Sequence, residues 1–594
     1  MLNIHRRYCT ETFDAQGNLA SSRIHVPDDF NYAFDVIDEI GREETERMAM
    51  IWRNPEGEEH DLRFSDLAHW SDKVACFMAS QGIGKGDKVM VILRRHYSFW
   101  ITALGLHKIG AVVIPATFML KEHDVEYRIK SAEVKAIITT TVGTITDVVD
   151  AACANLGESP LLFLMNGSQY DIPSSTGTQY DESLCGPALS GPDGLFAATC
   201  SRPGWIDFNA GVRRAAAVVG RVKTHIDDPM LIYFTSGTSG EPKMALHGFD
   251  YPAGHLVTAK WWHGIDPEGV HMTIADTGWA KCTWGKFYGQ WFMEGCQLVY
   301  DFDRFHGNEI LALIERYHLT TFCCPPTMWR MLSHEDVDAY DFSSIKRFST
   351  AGEALPPDQF DFWLEHTGQP IYEGFGQTES PVIVANVIGM TPRAGSMGRP
   401  MPFAHIALLD EDGNVCEPGE EGEICIQCCP KPAGIIYEYY KAPEKTADVF
   451  RGGWYHTGDV AYADEDGYFY YCGRNDDLIK SSGYRIAPFE VESALNRHPS
   501  VRECAVTGVP DPLRGFAVKA TVVLEPGVEA SDDLTKELQQ FVKRNTAPYK
   551  YPRVIEYVDH LSKTFSGKIR RAKIRKVDER NGVVVNEELD EDDA

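Results

Sequence analysis

Met230-Leu-Ile-Tyr-Phe-Thr-Ser-Gly-Thr-Ser-Gly-Glu-Pro-Lys243 reads as an apolar strand that runs into a loop dense in Thr, Ser and Gly and closes on a lysine. A continuous apolar run, rather than alternation, marks a strand buried on both faces, as in a parallel sheet. In the loop, glycines let backbone amides turn inward and hydroxyls donate hydrogen bonds. The lysine adds a point charge. Polyphosphate oxygens require that combination. The loop is not a Walker A loop, which needs Gly-Lys followed by Ser or Thr.

Similar strands lie outward from this one. KVMVIL (88–93), AVVIP (111–115), AIITTT (136–141), TFCCPP (321–326) and QPIYEGF (369–375) alternate with helical stretches. Such alternation predicts α/β architecture with mostly parallel sheets. Near Pro400 the character changes. IALLDEDGNV and GEICIQCC flank an Asp-Gly turn, and YADEDGYFYYCGR (462–474) repeats the pattern, so a β-rich subdomain is expected. After Asp476, PFEVESALNRHPSV has helical spacing with Val491, Ala494 and Leu495 on one side. Two strands and a second helix follow, which makes a compact α+β unit. The expected domains are 1–475, 476–577 and an acidic tail, 578–594, that is solvated and disordered.

Composition narrows the function. Lys and Arg number 57 and Asp and Glu 86, a net charge of −29 over 594 residues. A nucleic-acid surface needs a basic face, and so does docking on anionic lipid, so neither is expected as the main business. A local pocket can still be basic. No apolar core follows Arg6-Arg7, so no secretory signal is read. The apolar stretch Phe99 to Leu120 is broken by His107, Lys108 and Gly110 and reads as helix then strand rather than a membrane span. The 15 cysteines, an odd number, fit a reducing setting, and the expected location is cytoplasmic. Cys425 and Cys428 form a CxxC with no second pair; buried thiols on a strand are expected, and a zinc-built interaction protein is the weakest functional reading.

Four further motifs carry polar chemistry: Tyr372-Glu-Gly-Phe-Gly-Gln-Thr-Glu379, Tyr455-His-Thr-Gly-Asp459, Gly473-Arg-Asn-Asp-Asp-Leu-Ile-Lys-Ser-Ser-Gly-Tyr-Arg485 and Lys563-Thr-Phe-Ser-Gly-Lys568. Singly they read equally as a strand end, a turn, a charged hairpin and a basic loop. In this order, with the loop at 233–243, they resemble the adenylate-forming (ANL) superfamily of acyl-CoA synthetases, adenylation domains and luciferases. The resemblance runs from about Asp38 to about Lys576. DTGWAKCTWGK, CPPTMWR, ECAVTGVPDPLRG and TAPYKYPR are similar to the medium-chain acyl-CoA synthetases of bacterial and archaeal type.

The resemblance implies roles. Thr235, Ser236, Gly237, Thr238, Ser239, Gly240 and Lys243 would hold the β- and γ-phosphates of ATP; Ser239 departs from the family's usual threonine but keeps a hydroxyl. Gly352, Glu353 and Ala354 would line adenine, with Phe375 on its other face. Thr378 would contact the α-phosphate and Glu379 would bind Mg2+. Asp459 would take the ribose hydroxyls with both oxygens, with Arg474 beside it. Asp476 matches the hinge of a mobile C-terminal domain, and Lys568 the catalytic lysine that bridges the substrate carboxylate and the α-phosphate. Gly483 and Arg485 would face the site in the second, CoA-dependent step.

The acid is less legible. Acetyl- and propionyl-specific relatives carry Trp immediately before Gln-Thr-Glu, where this chain has Gly376, so an opened pocket is expected; a tight backbone turn is the alternative. Trp279, Lys281 and Trp284 are the other acyl-pocket candidates. For the CoA 3′-phosphate, Lys543 and Arg544 or Arg94 and Arg95 are candidates, against plain solvated basics. The function implied is an AMP-forming acyl-CoA ligase acting on a short-branched, medium-chain or aryl carboxylic acid, with ATP and CoA as substrates and Mg2+ as cofactor. The alternatives are a ligase that loads a carrier-protein phosphopantetheine, a luciferase-like oxygenase, and a non-catalytic nucleotide-binding protein. No nucleic-acid or integral-membrane partner is expected, and the oligomeric state stays open between monomer and dimer.

Overall fold

A computed structural model describes all residues except 142, 158, 167–193, 236–241, 476, 482–483, 513, 564–568 and 584–594, and excepting the side chain at 485. Two large sheets form its body. The first has eight strands, in the order Glu438–Tyr439, Lys243–Gly248, Pro229–Thr235, Val112–Pro115, Lys88–Ile92, Val134–Thr140, Leu161–Met165, Ile206–Asp207. From Pro229–Thr235 onward the pairs are parallel; the first two strands form an antiparallel edge. The second has nine strands, parallel from Ile371–Gly376 through Arg347–Ala351, Thr321–Cys323, Val270–Thr273 and Cys296–Tyr300 to Met48–Arg53, with antiparallel strands at both ends.

The continuous apolar runs are buried on both faces, as predicted. Val89 and Val91 enter one core while Met90 and Ile92 enter another, because successive side chains leave a strand on opposite faces. Helix Ser98–Lys108 lies in the core that holds residues of both sheets, and all its residues are buried. That is why the stretch is so apolar. Its buried Lys108 ammonium pairs with Asp38 at 2.7 Å and Asp72 at 2.6 Å, which offsets the cost of burying a charge. No described helix is long and apolar enough to cross a membrane.

The β-rich part is an antiparallel sheet of Ile406–Leu409, Glu421–Gln427, Trp454–Ala463 and Phe469–Arg474. Beyond it, strands Ile479–Ser481, Tyr484–Ile486, Val501–Asp511, Gly515–Leu524 and Val554–Tyr557 pair into one sheet. Helices Pro488–Leu495 and Asp532–Asn545 pack on it over a separate core. Val491, Ala494 and Leu495 are buried together, as their spacing predicts. Ser531 caps the second helix by accepting from the Leu534 amide at 3.1 Å. The α/β class, with mostly parallel sheets, a β-rich subdomain and a small α+β unit, is the one read from the sequence. An N-terminal hairpin, Cys9–Phe13 with Leu19–Ile24, was not anticipated.

Candidate active site

Parallel strands release their loops at one edge, which is where ligands bind in such sheets. Strand Pro229–Thr235 returns as Lys243–Gly248 with Thr235 opposite Lys243, so the two ends of the phosphate-type loop stand side by side. Ser236, Gly237, Thr238, Ser239 and Gly240 lie outside the described residues. The Lys243 ammonium sits 4.8 Å from the centre of the Tyr439 ring. Tyr439 is on the edge strand that pairs with Lys243–Gly248. Its hydroxyl donates to Glu379 Oε1 at 2.8 Å. Burial, reinforced by the Glu379 charge, raises the Tyr439 phenol well above its ordinary range, so the hydroxyl stays a donor.

Gln377, Thr378 and Glu379 follow strand Ile371–Gly376. His247 Nε2–H donates to the Thr378 carbonyl at 2.9 Å. Burial pulls this imidazole down to about 3, so it is neutral. The Gln377 side-chain oxygen accepts from Tyr455 at 2.9 Å, and its NH2 donates to the Thr457 carbonyl at 2.8 Å and to Asp459 Oδ2. Asp459 stands opposite Arg474 on paired strands. Arg474 donates to Asp459 Oδ2 at 3.0 Å and to the Thr457 carbonyl at 2.8 Å, and Tyr471 donates to Asp459 Oδ1 at 2.8 Å. Gly458 has φ +73°, a conformation that favours glycine, and it packs against the Arg474 guanidinium.

One expectation needs amendment. Asp459 Oδ2 already accepts two hydrogen bonds and Oδ1 one. A carboxylate offers about four acceptor positions. A ribose diol donating to both oxygens must therefore displace Gln377 or Arg474. Both adenine candidates leave the same sheet edge: Gly352, Glu353 and Ala354 follow Ala351, which is in register with Gly374, one residue before Phe375. Glu353 Oε2 accepts from Thr327 at 2.9 Å. The half-buried Phe375 ring lies 6.1 Å from that of Tyr471.

Two chains of contacts thus leave one short turn: Glu379 meets Tyr439 and, through it, Lys243, while Gln377 meets Asp459 and, through it, Arg474. The model of the AMP-binding enzyme family matches residues 37–430, and that of the AMP-binding enzyme C-terminal domain matches 490–568. The chain belongs to the AMP-binding enzyme family. Human acyl-coenzyme A synthetase ACSM3, mitochondrial, is 39% identical over 565 residues, 93% of this chain and 90% of that one. Human acyl-coenzyme A synthetase ACSM5, mitochondrial, is 38% identical over 561 residues, covering 93% and 91%. The anthranilate CoA ligase AuaEII, solved with anthranoyl-AMP, superposes with a TM-score of 0.80 at 25% identity, covering 94% of this chain and 99% of that one. A benzoate CoA ligase from Burkholderia xenovorans LB400 gives 0.76 at 25%, covering 92% and 100%. The chain is therefore a ligase of the adenylate-forming superfamily, in its medium-chain acyl-CoA synthetase branch.

In this AMP-binding enzyme three of the acyl-pocket candidates lie on or at the start of one helix. Trp284, on helix Ala280–Lys286, is buried with its ring 5.9 Å from that of Trp262. Trp279 is half-buried at the start of that helix. Lys281 donates to the Ala351 carbonyl at 2.8 Å, and its ammonium lies 5.9 Å from the centre of the Trp284 ring. Gly376 is corrected. A Cβ there would lie 2.5 Å from the Pro381 carbonyl oxygen, at a register shift in the strand pair. Backbone passes close by, which is the turn-type alternative and suffices to require glycine.

Arg94 and Arg95 are likewise corrected. Both are buried: Arg94 pairs with Asp301 at 2.7 Å, and Arg95 lies 3.8 Å from Asp276. Neither offers a surface for a phosphate. Lys543 lies 4.2 Å over the Tyr551 ring at the end of helix Asp532–Asn545. The Arg485 backbone pairs with Lys480. Asp476, Gly483, Lys568 and residues 584–594 lie outside the described residues. The expected tail is corrected at its start: helix Arg571–Asn581 runs past 578, and Asp578 is buried in an ion pair with Lys519 rather than solvated. Sequence reading assigned no role to Tyr439, Gln377, Tyr455 and Tyr471. Three of these sit inside or beside the quoted motifs, where a polar residue next to a glycine-flanked acid was the available signal. Tyr439 carried none.

Proposed function

We propose that the chain is an AMP-forming acyl-CoA ligase acting on a short-branched, medium-chain or aryl carboxylic acid. The observation that carries the reading is the arrangement around residues 377–379, from which Glu379 reaches Tyr439 and Lys243 and Gln377 reaches Asp459 and Arg474. It joins motifs far apart in the chain into one surface with cations at both ends and carboxylates between. The CoA ligases among the solved relatives, acting on anthranilate and benzoate by their names, support the aryl end of the range.

The chemistry follows. A carboxylate has no good leaving group, so its oxygen attacks the α-phosphorus of ATP to give an acyl-AMP and pyrophosphate. Both partners are anions. Lys243 would hold the departing phosphates, Thr378 the α-phosphate, and Lys568 would neutralise the approach of the acid. Glu379 fits Mg2+: it is a hard oxygen donor beside the phosphate loop, Tyr439 holds Oε1, and no described residue engages Oε2. Bound there, Mg2+ would supply positive charge to the phosphate oxygens. In the second step the CoA thiol attacks the acyl carbon and AMP leaves. A thiol with a pKa of about 8.5 has some thiolate at neutral pH, so no dedicated base is required. A swing of the C-terminal unit about Asp476 would exchange Lys568 for the Gly483–Arg485 face between steps. Trp284, backed by Trp262, would close the far end of the acyl site; such a pocket separates acids by only ~1–3 kcal/mol per methylene, so a broad acid range is expected.

The test is a pyrophosphate-release screen across carboxylic acids, with and without CoA. Acid-dependent release and acyl-CoA formation are expected; release without any acid would overturn the reading. Lys568→Ala should abolish acyl-AMP formation yet spare thioester formation from supplied acyl-AMP. Equal loss of both half-reactions would remove its assigned role.

A further inference from the structure

Outside the candidate nucleotide site, three metal-ligating side chains converge on the β-rich sheet. Cys425 and His456 are cross-strand partners, and Glu423 precedes Cys425 by two residues, on the same strand face. Their ligand atoms all lie within 4.8 Å of one another. His456 Nδ1 is 2.8 Å from Glu423 Oε2 and 3.3 Å from Cys425 Sγ. One ring nitrogen carries at most one proton, so it cannot donate to both. We propose that Glu423, Cys425 and His456 form a binding site for one thiophilic divalent cation of the Zn2+ class.

The donor set suits such an ion. Carboxylate, thiolate and imidazole are its ordinary ligands, and tetrahedral geometry sets neighbouring ligand atoms about 3.3–3.6 Å apart. His456 Nδ1 and Cys425 Sγ are already at that spacing, whereas Nδ1 and Glu423 Oε2 must part by about half an ångström. Binding releases the Cys425 thiol proton to solvent as the sulfur–metal bond forms. The two anionic ligands then balance the two positive charges. Arg451, half-exposed and 3.1 Å from Glu423 Oε2, would yield that oxygen to the ion. Glu423 Oε1 keeps a separate task, accepting from the Gly458 amide at 2.7 Å. Cys428, the other half of the CxxC, is not in the cluster. Cys428 lies just past the end of strand Glu421–Gln427.

The test is a Co2+ titration of the full-length protein after removal of metals with a chelator, read by absorption. A thiolate-to-cobalt charge-transfer band saturating at one ion per chain is expected. It should persist in the Cys428→Ser/Cys429→Ser double variant. Cys425→Ser should abolish it, and His456→Ala should weaken binding at least about tenfold. Glu423→Gln, whose amide oxygen can still accept from Gly458, tests the same point without disturbing the fold and should also lose about tenfold. No band in the unmodified protein, or an unchanged band in Cys425→Ser, overturns the proposal. So does unchanged affinity in both Glu423→Gln and His456→Ala.

Discussion

Glu379 and Asp459 are two carboxylates of the candidate site, and they are held differently. Among the described residues, only the Tyr439 hydroxyl donates to the Glu379 side chain. Asp459 accepts from Gln377, Tyr471 and Arg474, and is buried. The first has acceptor capacity left for a ligand. The second is part of the scaffold and must exchange a partner to meet one. A carboxylate in a site can thus be a binding group or a structural tie, and the number of donors on it tells which.

The contrast is broken most strongly at Glu379. Glu379→Gln should cut pyrophosphate release roughly 100- to 1000-fold, the scale of losing one preorganised charge-stabilising group, while the thermal melt stays unchanged. A lowered melting temperature would make Glu379 a structural tie as well. Asp459→Ala should raise KM for ATP about 100-fold and also lower the melting temperature by a few degrees, because three donors lose their acceptor. Loss of ATP binding with an unchanged melt would contradict the scaffold role. Tyr439→Phe removes one hydrogen bond to a charged group, so adenylation at limiting Mg2+ should fall roughly tenfold and recover in part at high Mg2+. Equal loss at all Mg2+ concentrations would detach Tyr439 from Glu379.

A third carboxylate sharpens the comparison through pH. Glu373 is buried on strand Ile371–Gly376 with no ion pair among the described residues, and burial pushes its carboxyl up to about 8. Its folded pKa is raised, so the folded state keeps a proton that the unfolded chain has released. Its neutral form is tolerated at low pH, and stability is lost as pH rises from the ordinary carboxylate range toward 8, by at most about 1.4 kcal/mol per unit. Glu373→Gln should flatten that slope in thermal melts, with little effect on kcat at neutral pH. An unchanged slope would mean that Glu373 is already ionised and paired.

Much of the fold and part of the site are legible without coordinates. Val89 and Val91 against Met90 and Ile92 show why: a strand covered on both faces has to be apolar throughout. The glycine- and hydroxyl-rich loop and the acids beside glycines are legible for a similar reason, since phosphate and ribose demand those groups within one short segment. Readings failed where the decisive neighbour comes from elsewhere. Arg94 looked like a surface cation until Asp301, 207 residues on, proved to be its partner. Gly376 looked like a missing side chain until the Pro381 carbonyl was found in its place. Cys425 is the buried strand thiol that was expected, but its cross-strand neighbour His456 was not legible from the CxxC.

By itself, then, the sequence determined the α/β class, the order of the polar motifs and the residue types expected to meet ATP, because periodicity and local loop chemistry are properties of short segments. Only the tertiary structure decided which groups hold those residues: Tyr439 on Glu379, Gln377 and Tyr471 on Asp459, His456 on Cys425. The reason is desolvation. A buried polar or charged group loses its water and must find another partner, and that partner is chosen by proximity in the folded chain, not along it.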